Sequence, residues 1–156
     1  MQTFDLVRFS PDASWEDAAA RLTDVRTLPP SVFSSVPDVE RARVMMKRAK
    51  FIHMPIWQPD VGLARLFKEH GAVMVIGLAD LLLLPPLEMG KRLSRTAHMA
   101  QMVRHFGGSV RLASMARNEN ELRNPLELAC VGERLGLPPG VVMKALSESP
   151  LAGDKA

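Results

Sequence analysis

The chain has 156 residues, 47% hydrophobic and 24% charged, with a formal net charge of +3. That balance suits one soluble globular domain with its own core, and residues 1–150 read as that domain, followed by a disordered tail at 151–156. The single cysteine, Cys130, excludes an intrachain disulfide and suits a reducing cytoplasm; Gly77 and Asp80 break the longest apolar run, Ala72 to Leu84, and make it a poor membrane span.

The opening MQTFDLVRF lacks a basic lead segment, so it is not a signal peptide, and Thr3 to Phe9 alternates apolar and polar residues as a strand does. Ser14 is a helix cap followed by Ala18, Ala19 and Leu22, and Val25 to Leu28 is a short strand stopped by Pro29 and Pro30. Pro37 suits a first helical position, with the helix running through Val39, Ala42, Val44 and Met46. Ala49 to Met54 is a strand, Asp60 to His70 a helix, and Ala72 to Leu78 a strand apolar on both faces, as a parallel sheet requires. Pro85 and Pro86 open a long helix to Phe106, and Gly107 and Gly108 stop it. Val110 to Ala113 is the next strand, Pro125 opens a helix that ends near Gly136, and a last helix runs from Gly140 to about Ser147. Alternating strands and helices define an α/β protein with parallel strands. Five to six such units are too few for a complete eight-unit barrel, which needs about 200 residues. The sheet is therefore either open and doubly wound or part of a barrel.

No HxH, HExxH or CxxC spacing signals a metal site, and no GxSxG, P-loop or GxGxxG is present. His98 and His105 lie on one face of the long helix with no carboxylate beside them, Cys130 reads as a small core residue, and Met45, Met46, Met99 and Met102 as core filler. The spacing reveals no catalytic constellation. The charge distribution is more informative. From Met89 to Asn118 the chain carries Lys91, Arg92, Arg95, Arg104, Arg111 and Arg117 with no acidic residue, a pattern that suits either a phosphate-bearing partner or a plain solvated helix face. Lys91, Arg95, His98, Met102 and His105 form one helical stripe. Met89, Leu93, Thr96, Ala97, Ala100 and Val103 form the other, which should pack on the sheet. With no tyrosine and few aromatics, such a surface suits phosphate contacts better than base stacking.

The stretch from Ala113 to Gly136, with Ser114 after a strand, then Arg123, Pro125, Glu127 and spaced glycines, resembles protein component 3 of archaeal ribonuclease P. Lys50 to Trp57, Val73 to Leu82, Glu88 to Phe106 and Pro138 to Pro150 are similar to successive segments of that family, so the resemblance runs from about Lys50 to Pro150. It implies a TIM-barrel-like fold, here an incomplete barrel shortened on its N-terminal side. It also implies a cytoplasmic subunit without activity of its own, which supports a catalytic RNA in removing the 5′ leader of precursor tRNA. The chain would bind no cofactor, the Mg2+ serving the RNA subunit, and its partners would be the ribonuclease P RNA, precursor tRNA and a small protein subunit.

The RNA-binding residues implied are Lys91, Arg92, Arg95, Arg104, Arg117 and Arg123. Ser114 and Glu127 would brace the loop, and Arg123 either contacts RNA or pairs with Glu127. Two positions that are usually basic in the family are Ala79 and Gln58 here. The alternatives are a metal-dependent phosphoesterase of the histidinol-phosphatase-like barrels and a degenerate barrel that only binds proteins. An incomplete barrel leaves open edges, so the apolar Thr3 to Phe9 strand is expected to be covered by a second copy of the chain or by the partner subunit.

Overall fold

A computed structural model describes residues 5–6, 25–26, 33–82, 84–117, 119–121 and 123–147. Two short strands, β1 (Asp5–Leu6) and β2 (Val25–Arg26), pair in parallel. They are followed by β3 (Phe33–Ser35), α1 (Val39–Met45), β4 (Phe51–His53), α2 (Val61–Glu69) and β5 (Val73–Gly77). The single turn α3 (Ala79–Leu82) leads into the long α4 (Pro86–His105), then β6 (Ser109–Ala113) and a 3-10 turn (Glu119–Glu121). Helices α5 (Pro125–Arg134) and α6 (Pro139–Ser147) close the order.

Local chemistry sets most of these boundaries. The Asp38 carboxylate accepts the Arg41 N–H at 2.8 Å and caps α1, so Pro37 precedes the helix instead of opening it. The Asp60 carboxylate caps α2 by accepting from Leu63 N–H and also receives Arg43 Nη2 at 3.3 Å. Asp60→Ala is therefore expected to cost about 1 kcal/mol, most of it the lost cap, read as a lower urea midpoint at unchanged slope. Pro86 begins α4, as its fixed φ favours. Asn124 and Glu127 form a reciprocal capping box at the start of α5, with both N–H to oxygen distances 2.9 Å. That helix ends because Gly136 adopts φ +75, which lets its N–H reach the Glu133 carbonyl and Leu137 N–H the Gly132 carbonyl. Gly132 plays a different part, since a Cβ there would lie 2.6 Å from Leu112 Cδ1 and 2.9 Å from Val142 Cγ2. It lets α5 lie close to β6 and α6.

The main sheet runs β3-β4-β5-β6, all parallel, with sequence order and spatial order the same. Crossovers of one hand between successive neighbours place the helices on one face. That face carries Ile52, Met74, Ile76 and Leu112, packed with Leu63, Phe67, Met99, Val103 and Leu128 from the helices. The opposite face holds a separate cluster of Phe51, Val75, Ala113 and Met115, with Phe33 and Val73 against it and no helical member. The result is a mixed α/β fold, a four-strand parallel sheet with alternating helices, in a geometry compatible with part of a barrel wall.

Several expectations change. The sequence predicts no strand at Phe33–Ser35, because two successive serines carry little strand propensity, yet pairing with β4 makes one. Along Asp5–Leu6 the expected Thr3 to Phe9 strand pairs with β2 and approaches β6 of the same chain. Cys130 is exposed and not a core residue, because α5 turns Leu128 and Gly132 inward and leaves position 130, like Leu126, on the outer side. Arg111, one of the six cations in the basic block, is buried in β6 and adds nothing to the surface charge. The helix expected from Ser14 and the tail at 151–156 lie outside the described residues. Among the described residues no helix is long and apolar enough to cross a membrane.

Candidate functional site

Strand register assembles a polar row that no local motif announces. Ser35 stands opposite His53, His53 opposite Val75, and Val75 opposite Arg111, so all four share one level across the sheet. Ser35 and His53 are the last residues of their strands, and Asp80 and Ser114 follow closely on the ends of β5 and β6. The polar groups thus gather at the carboxyl ends of parallel strands.

His53 is 0% exposed and is held from both sides. Its Nε2 lies 2.8 Å from Asp80 Oδ2 and its Nδ1 lies 2.8 Å from Ser35 Oγ. A carboxylate only accepts, so Nε2 carries a hydrogen; in the neutral ring Nδ1 then accepts the Ser35 hydroxyl proton. Phe33 stacks against the imidazole at 6.2 Å between centroids and fixes the ring plane.

The position of Asp80 depends on Gly77. A Cβ at Gly77 would lie 2.7 Å from Asp80 Oδ2 and 2.7 Å from Met115 Cγ, so the missing side chain is the space the carboxylate occupies. Leu78 and Ala79 N–H donate to the Ala113 and Ser114 carbonyls at 2.9 Å, which extends the β5–β6 ladder and fixes the start of α3. Gly77→Ala should cost about 2 kcal/mol through overpacking and displace Asp80 from His53. A lowered thermal midpoint together with a moved His53 ring resonance would check this; an unmoved resonance would refute the displacement.

Beyond β6 the chain turns sharply. Met115 is fully buried with φ 50, a left-handed conformation that a non-glycine residue adopts at a cost. Ser114 Oγ accepts the Ala116 N–H at 3.3 Å, and Arg117 N–H donates to Glu121 Oε2 at 2.9 Å. The turn brings Arg117 back over the strand ends, where Nη2 lies 3.5 Å from Asp80 Oδ1. A continuous chain therefore runs Ser35–His53–Asp80–Arg117, from an exposed serine through a buried imidazole and carboxylate to an arginine side chain that is 53% exposed. Such a chain can pass a proton between Ser35 and His53, and it can hold the guanidinium in one orientation.

Of the residues singled out from sequence, only Arg117 enters this chain, with Ser114 buried beside it. Lys91 and Arg95 are exposed on α4 with His98 and His105, and Thr96, Met99, Ala100 and Val103 are buried on the other side. Lys91 and Arg95 also line a shallow open groove with Pro86, Leu87, Gly90 and Ser94. Arg92 and Arg104 are half-buried and flank the exposed stripe, Arg92 pairing with Glu88 at 3.5 Å. Arg123 is half-buried in the loop before α5 and donates from Nη1 to the Asn120 carbonyl at 3.2 Å. Glu127 spends its carboxylate on the capping box. Among the described residues no group of three or more His, Cys, Asp or Glu side chains could hold a metal ion.

Ser35, His53 and Asp80 were missed because they lie on three different units. The signal that could have found them is a polar residue at the carboxyl end of successive apolar strands. Fold and site together define an α/β protein whose polar, partly charged site lies at the carboxyl end of a parallel sheet, where ligand sites of this architecture gather. No protein-family model matches the chain, and a search of curated proteins finds no match.

Proposed function

We propose that this chain is a protein subunit of ribonuclease P, a TIM-barrel-like domain that supports the catalytic RNA in removing the 5′ leader from precursor tRNA. The observation that carries the reading is the cationic stripe of α4. Lys91 and Arg95 stand free of the core on a helix whose opposite side is buried, and His98 and His105 continue the line. The resemblance over Lys50 to Pro150 supplies the family, and a sheet in sequence order with all its helices on one face fits a barrel wall.

In this reading Lys91 and Arg95 neutralise RNA phosphates, with Arg92 and Arg104 beside them. Arg117 and Arg123 act from the loop at the strand ends. Phosphate contacts of this kind orient RNA without reading its sequence. The chemistry belongs to the RNA subunit and its Mg2+, and a small protein subunit completes the particle.

Cleavage of 5′-labelled precursor tRNA by ribonuclease P RNA, with and without the chain, tests the reading. The chain should accelerate cleavage at limiting Mg2+, and the RNA-free chain should cleave nothing. Absence of any stimulation, or metal-dependent hydrolysis by the purified chain alone, would overturn it, the second result in favour of a phosphoesterase.

A further inference from the structure

We propose that Arg117 is a pre-oriented phosphate-binding arginine and that Asp80, His53 and Ser35 are its positioning residues. The proposal rests on the ribonuclease P reading for the identity of the RNA, but not for the existence of the site. The Asp80 carboxylate is 5% exposed and uses both oxygens: Oδ2 meets His53 Nε2 at 2.8 Å, and Oδ1 meets Arg117 Nη2 at 3.5 Å. His53 cannot swing away, because Ser35 holds Nδ1 and Phe33 stacks on the ring. The carboxylate sits in the space that a Cβ at Gly77 would fill. The Arg117 backbone is fixed in turn by its N–H bond to Glu121 and by the buried turn at Met115.

A guanidinium has five N–H donors in a rigid fork, and Asp80 is the acceptor that meets this one among the described residues. The remaining donors are on a side chain that is 53% exposed. A free surface arginine must give up rotamer freedom to bind, whereas an arginine already anchored through one nitrogen gives up less. The ligand suited to such a fork is a phosphate oxygen pair, bound bidentately. The groups around Arg117 are Asp80, with His53 behind it, and Glu121 from its own loop.

The experiment is NMR of the full chain with 15N-labelled arginine, in which the Arg117 Nε resonance is identified by its loss in Arg117→Ala. Three ligands are titrated separately: inorganic phosphate, an oligoribonucleotide with a 5′-phosphate, and the same oligoribonucleotide without one. A saturating shift of the Arg117 resonance is expected with phosphate and with RNA. A shift restricted to inorganic phosphate and the 5′-phosphorylated strand would assign an end group, and an equal shift with the unphosphorylated strand would assign the backbone. A resonance that moves with none of the three overturns the site.

Positioning is tested by a double-mutant cycle on RNA affinity. Asp80→Asn, which keeps the volume, should weaken binding about fivefold when Arg117 is present and leave it unchanged in the Arg117→Ala background. Equal weakening in both backgrounds would show that Asp80 serves the fold only. Ser35→Ala, at an exposed residue that tolerates truncation, is the second variant; it should broaden the Arg117 resonance without unfolding the chain, and an unaltered resonance would count against the relay. A phosphate response without stimulation of precursor-tRNA cleavage would keep the site and remove the ribonuclease P reading; stimulation without a response would do the reverse.

Discussion

Replacing Lys91 and Arg95 together by glutamate is expected to weaken RNA binding on the order of a hundredfold at 0.1 M salt. Each phosphate neutralised contributes about 0.9 to the logarithmic salt slope, so at that ionic strength each contact supplies roughly one decade of affinity. Two lost contacts remove about two decades and lower the slope by about two. Stability should hardly move, since both side chains are exposed and one like-charge pair a helical turn apart replaces another. Fluorescence anisotropy over a salt series, beside a thermal melt, reads both quantities. A loss below threefold, with the slope retained, would leave the stripe as a solvated helix face.

Asp80→Ala should be the most damaging single change at the strand ends, costing about 3 kcal/mol. The carboxylate is shielded from water, and its removal leaves the His53 Nε2 hydrogen without its acceptor and the Arg117 guanidinium without its anchor. The methyl group of alanine also fails to fill the space above Gly77. Urea unfolding should show a lower midpoint at unchanged slope, and Asp80→Asn should fall between the two proteins. A cost below 1 kcal/mol would mean that water or a neighbouring side chain replaces the carboxylate freely.

Periodicity and punctuation made the larger elements legible. Proline at Pro86 and Pro125, the aspartate cap at Asp60 and the glycine stops after α4 and α5 mark their helices in the chain itself, because each acts on backbone groups within a few residues. The inward and outward sides of α4 could also be read from helical spacing, except at Met102, which the spacing puts on the outward stripe and which packs against the core. Strand β3 could not, because a three-residue Phe-Ser-Ser segment becomes a strand only when β4 supplies its partners. The site was hidden for the same reason. Ser35, His53, Asp80 and Arg117 meet through register and a buried turn, and neither leaves a fixed spacing in the sequence. Cys130 went wrong by one helical face, the error to which a short amphipathic helix with glycine on its inner side is prone.

The strand order has a consequence for how the chain is made. Each strand of the sheet pairs with the one synthesised before it, Phe33 with Phe51, Phe51 with Val73 and Val73 with Ser109. A chain leaving the ribosome therefore finds every partner already behind it, and the sheet can grow by accretion with modest loop closure at each step. The longest wait falls before β6, while α3 and α4 are still emerging. During that interval β5, the most apolar strand, stands as an uncovered edge, and this is the stage of synthesis at which a nascent chain is most exposed to pairing with a stranger.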